Sequence, residues 1–144
     1  MMPEAHTDGT PPPGSAHAKA VITVLERHAE PFDETAGPPL STLSIREIFE
    51  GDIQGESIVR ALQMRQADGS IHMISLQRVS GSLDGRTGSF VLQGDETIEK
   101  GAIRARWFVV PGSGTGQLAG LRGTGGFEGR FGEGSEGTLD YWFD

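Results

Sequence analysis

Glycine and proline interrupt this chain so often that no helix of more than a few turns fits between them, and that punctuation restricts the fold more than any other feature. Glycine fills 22 of 144 positions, well above the usual ~7%. It falls between apolar runs, where tight turns and bulges need a positive φ. The runs themselves alternate with period 2, as half-buried strands do. In residues 42–49, Leu43, Ile45, Glu47 and Phe49 share one face, and Gly51-Asp52 closes the segment. Residues 57–66 end at Asp68-Gly69, a strong hairpin signal, and residues 71–83 run from there to a second such pair, Asp84-Gly85. Residues 88–93 form another short strand, and residues 103–110, with Trp107 and Phe108, form the longest β-type run. Upstream, Ala20, Val21, Ile22, Val24 and Leu25 cluster as a first strand, followed by a loop marked by Pro31 and Pro38-Pro39.

Helical spacing competes at two places. Ser44 and Glu47 form a capping box within residues 40–49, and Ile58, Leu62 and Arg65 recur at helical intervals within residues 56–66. Regular strand spacing with hairpin turns nevertheless favours a barrel or sandwich, and no helical crossover is available for a parallel sheet. Closure removes the exposed edges that an open sheet of short strands would leave. The expected architecture is therefore all-β: a single antiparallel β-barrel over residues 19–144, preceded by a disordered tail at 1–18, where a Pro triplet and small polar residues offer little apolar surface. The glycine-rich stretch at 109–126 follows a strand as a phosphate-binding loop would. It lacks the Gly-Lys-Ser/Thr ending, no Lys occurs after Lys100, and its glycines disfavour the helix that a dinucleotide fingerprint requires. It reads as a turn and then a strand in which glycine permits close backbone approach.

One domain of this length buries a sufficient core unaided. The absence of Cys excludes disulfides, cysteine metal sites and a cysteine nucleophile, and fits a reducing, cytoplasmic location. No apolar run reaches the ~20 residues of a membrane span. A net charge of −8 disfavours nucleic acid and anionic lipid as partners. His6, His17, His28 and His72 are scattered without metal-ligand spacing, so no metal or other cofactor is expected. Ser113 sits outside any G-x-S-x-G elbow.

Four motifs in order carry a resemblance: FEGDIQGES from Phe49, GSLDGRTGSFVLQ from Gly81, VVPGSGTGQLAGLRGTGG from Val109 and TLDYWF from Thr138. This string resembles bacterial proteins grouped as a domain of unknown function, family 3224, which are similar in fold to allene oxide cyclase. The resemblance implies a barrel of about eight strands with a central cavity. It also suggests a cofactor-independent cyclase or isomerase acting on a largely apolar metabolite, polyketide ring closure among the options. Members often carry Glu where this chain has Gln77.

Alternate residues of a small barrel face the lumen, so a site should show as polar or aromatic residues on an apolar face. Glu47, among Leu43, Ile45 and Phe49, is a candidate acid or base if that face is internal. Gln77 shares a face with Met73 and Ser75, and its amide suits a carbonyl. Tyr141 could donate to a developing oxyanion, or be a structural tyrosine. Met73, Ser75, Phe90 and Trp107 are the expected lumen wall, although core packing explains Trp107 as well. Arg86, after Asp84-Gly85, reads as a turn anchor. Beside the cyclase stand two alternatives: a barrel that binds a small apolar ligand without turnover, and an assembly barrel forming a homo-oligomer through the Arg104/Arg106 face or residues 49–58.

Overall fold

The structure, a computed structural model, describes residues 11–130 and 135–144. Eight strands make it up: β1 (Ala16–Asp33), β2 (Leu40–Gly51), β3 (Ile53–Arg65), β4 (Ile71–Leu83), β5 (Arg86–Glu99), β6 (Ala102–Val109), β7 (Leu121–Arg130) and β8 (Ser135–Phe143). A 3-10 turn, Gly116–Leu118, precedes β7. Each strand pairs antiparallel with its sequence neighbours, and β8 returns to β1 to close the barrel. Among the described residues no helix is long and apolar enough to cross a membrane.

Both segments with helical spacing are strands. In β3 the burial alternates strictly from Ile53 to Gln63, with Ser57, Val59 and Ala61 inside and Ile58, Arg60 and Leu62 outside. The period-2 pattern prevails because a strand paired on both sides satisfies every backbone group while burying one face. The 109–126 stretch behaves as expected. After the turn, Gly125 and Gly126 of β7 lie where a Cβ would come within 2.0 Å of Thr138 O and 2.1 Å of Ala105 O.

β1 departs from expectation at both ends. It begins at Ala16, inside the segment expected to be a tail, where Ala16 pairs with Tyr141. Residues 1–10 of that segment lie outside the described residues. Its far end continues well past Leu25 to Asp33, because β2 pairs with it along that whole length, with a bulge between Val24 and Glu26. Among the described residues, pairing with β8 runs from Ala16 to Ile22. Every residue from Thr23 to Pro38 is exposed, so this half of β1 and its turn form an arm standing at the margin of the barrel.

Two apolar clusters fill the interior. The larger, around Phe49, Ile53, Leu83, Phe90, Leu92, Trp107, Leu118 and Leu139, occupies the end nearest the β2–β3 and β4–β5 turns. The smaller, Leu43, Ala61, Ile71, Met73 and Ile98, occupies the other end.

Candidate functional site

Between the two clusters the inward faces turn polar. On β2, Glu47 interrupts the apolar series between Ile45 and Phe49; on β3, Ser57 lies between Ile53 and Val59; on β4, Gln77 lies between Met73 and Val79. The register brings them together. Glu47 stands opposite Ser57, and Gln77 opposite Val59. Gln77 Nε2 donates to Glu47 Oε1 at 2.6 Å and to Ser57 Oγ at 2.7 Å, and Ser57 Oγ donates weakly to Glu47 Oε1 at 3.4 Å. Gln77 and Ser57 are buried, whereas Glu47 retains some access to water.

A second carboxyl completes this girdle. Glu96 of β5 lies between Leu92 and Ile98 in the inward phase, opposite Met73 and Ala105. Burial pushes it up, the charge of Glu47 and then that of Asp95 push it further, and Arg27 pulls it back, leaving it at about 7. Burial also raises Glu47, against the pull of its bonds from Gln77 and Ser57. Those bonds favour the charged form of Glu47, and the charge of Glu47 is one of the causes that raise Glu96. Gln63, also inward and buried, has its Oε1 without a hydrogen-bond partner. Glu47, Glu96, Ser75, Ile45 and Ile103 are inward yet only half-buried, so water reaches the girdle from the end held by the smaller cluster.

The expected site residues divide between several places. Glu47 and Gln77 touch. Met73 belongs to the smaller cluster, Phe90 and Trp107 to the larger, and Ser75 lies against Gly94, where a Cβ would meet its hydroxyl at 2.8 Å. The Trp107 ring packs against Phe49 and Phe127, with centroids 6.5 and 5.4 Å away, and its Nε1–H donates to Thr138 O at 3.0 Å. Tyr141 is not in the girdle. Its hydroxyl donates to the Asp84 carboxylate at the β4–β5 turn, seven residues along β4 from Gln77, or roughly 20 Å. Burial first, then that bond and charge, push Tyr141 up to about 12, so it holds its proton. Arg86 lies with its guanidinium carbon 4.4 Å from the Phe143 ring centroid, stacked on an aromatic face. With Pro12 and Pro13 these residues line an open cleft of about 590 Å³. Ser113 accepts the Val91 N–H at 3.0 Å, a structural bond. Among the described residues no group of three His, Asp or Glu could hold a metal.

A family model described as protein of unknown function (DUF3224) matches residues 18–144, all of the barrel but the first two residues of β1. The chain belongs to the DUF3224 family. A solved DUF3224 structure from Shewanella oneidensis MR-1, of a protein with unknown function, is similar at 27% identity and a TM-score of 0.73, covering 90% of this chain and 98% of that one. Curated proteins give no match. The girdle is thus set in a DUF3224 barrel whose eight-stranded closure was expected from the motif order, whereas Glu96, Ser57 and Gln63 were not anticipated. The signal for Glu96 was the inward phase of Phe90 and Leu92, continued through Gly94; Asp95 and Glu99 on either side obscured it.

Proposed function

We propose that this barrel is a cofactor-independent cyclase or isomerase whose acid–base pair is Glu47 and Glu96. The supporting observation is the girdle: two inward carboxyls with water access, Glu47 accepting from Gln77 and Ser57, and Glu96 pushed up to about 7 by burial and by the charge of Glu47. Carboxyls whose environments separate their proton affinities divide naturally into a base and an acid. Glu47 would take a proton from the carbon beside a carbonyl. Glu96 would donate to the carbonyl oxygen, so that an enol forms and the proton balance closes within the site. Gln77 holds Glu47 in place, making it a positioning residue. The apolar clusters on either side suit a largely apolar substrate with one polar group.

The reaction is open to direct observation. A panel of apolar 1,3-diketones and enones incubated with the protein in D₂O should lose α-protons, by NMR, about 10² to 10⁴ times faster than in buffer. Both Glu47→Gln and Glu96→Gln should return the rate to background while Tyr141→Phe leaves it intact. Equal rates for the wild type and both glutamine variants would sink the proposal. Line broadening of a probe without exchange would instead favour the barrel that binds without turnover.

A further inference from the structure

The outer wall carries a second feature that the girdle does not use. A groove of about 1290 Å³ crosses the outside of the barrel from β3 to β8. Its floor is apolar: Leu62, Ile74 and Leu76 are each about half exposed, at 49%, 52% and 54%. Register places Leu62 beside Ile74 and Arg60 beside Leu76. Arg60 and Arg106 line the groove, and Arg78 stands one row away. Among the described residues none of these three arginines forms an ion pair, although the chain as a whole is at −8. The acids on the lip are already engaged, Asp95 with His72 at 3.4 Å and Asp140 with His17 at 2.5 Å.

The arm has the complementary character. Between Thr23 and Pro38 it carries Glu26, Glu30, Asp33 and Glu34 against Arg27, four acids and one base, for a formal −3; Glu26 pairs with Arg46 of β2 at 3.1 Å, which leaves Glu30, Asp33 and Glu34 to face outward partners. Val24, Leu25 and Phe32 project from it at 52%, 45% and 55% exposure. No described residue pairs with its outer edge beyond Ile22. A long strand edge with exposed apolar side chains is a liability unless something covers it. Its eleven strand residues, 23–33, span about 35 Å, enough to lie along a groove several strands wide.

We propose that the arm of one copy of this chain lies in the outer groove of a second copy, the apolar side chains meeting on the floor and the arm's acids facing Arg60, Arg78 and Arg106. Every copy carries both halves of the contact, so it forms a reciprocal pair, a ring or an open filament according to the rotation between neighbours. Pro31 has no N–H to donate, which limits strand addition along the arm and leaves side chains to carry the contact.

The test is the assembly state by sedimentation and light scattering, with folding of each variant checked by circular dichroism. The wild type is expected to be an oligomer that weakens as salt rises. Ile74→Glu with Leu76→Glu in the groove, and separately Leu25→Glu with Phe32→Glu in the arm, should each weaken association at least about tenfold while the barrel stays folded. The chain has no Cys, so Phe32→Cys in one preparation and Leu76→Cys in another can be mixed and oxidised. A disulfide between the two unlike chains supports the contact. A monomeric wild type overturns it, as does an oligomer broken by the groove variants but untouched by the arm variants, which would mean that grooves meet face to face. Failure here leaves the proton-exchange experiment on the girdle unaffected, and the reverse also holds.

Discussion

A carboxyl that keeps its proton to about pH 7 in the folded protein, and to the ordinary carboxylate range when unfolded, makes stability depend on pH in one direction. The folded state binds more protons across that interval, so stability is greatest below the ordinary range and is lost as pH rises through about 7. Glu96→Gln removes the titration. Denaturation with urea should show the variant gaining on the wild type as pH rises from 5 to 8, by about 2 to 3 kcal/mol, with no further change above; parallel curves would contradict the assigned burial. At this scale the sequence was informative about Glu47, because one acid among Leu43, Ile45 and Phe49 breaks an otherwise apolar face. It was uninformative about Glu96, which lies beyond the short strand expected at residues 88–93, in a stretch rich in acids. Tyr141 shows a third situation: its strand phase was legible, but its partner, Asp84, comes from a turn 57 residues away.

On strands β3 and β4, Gly55 and Gly81 face one another in the register. A Cβ on Gly55 would lie 2.1 Å from Ser80 O, and one on Gly81 2.0 Å from Gln54 O. The obstructing atoms are backbone, so no rotamer change relieves the clash. Gly81→Ala should therefore cost on the order of 3 kcal/mol in thermal or chemical denaturation. Gly69→Ala, at a hairpin tip where nothing lies within 4 Å and only the positive φ is at stake, should cost about 1. A similar loss at both positions would show that the close approach is not what glycine serves. Turn chemistry made most strands legible: Asp68-Gly69 and Asp84-Gly85 are hairpin tips as expected. The length of β1 was not legible, since Glu26, Arg27, His28 and Pro31 lack an apolar face, and among the described residues β2 alone holds that half of the strand in register.

For the molecule as a whole, the two apolar clusters and the polar girdle between them make up a single interior, and Trp107 sits where β1, β2, β7 and β8 converge on it. Removing its ring by Trp107→Ala should destabilise the barrel by about 3 to 5 kcal/mol, measured by urea denaturation. A loss below about 1 would mean that the interior is looser around the indole than its contacts with Phe49 and Phe127 indicate. Closure itself was legible, because hairpin after hairpin with no crossover leaves a sheet whose last strand must either meet the first or end in the open. The arm and the outer groove were not, since the arm depends on how far β2 carries β1 and the groove on which outward faces the register brings side by side. The pairing of β1 with β8 sets Ala16 beside Tyr141 and makes the strand order cyclic. A chain covalently joined across that seam and opened instead at the Asp68-Gly69 tip would have every neighbouring pair of strands it has now, so the place where the barrel is opened is set by covalent order and not by the pairing of its strands.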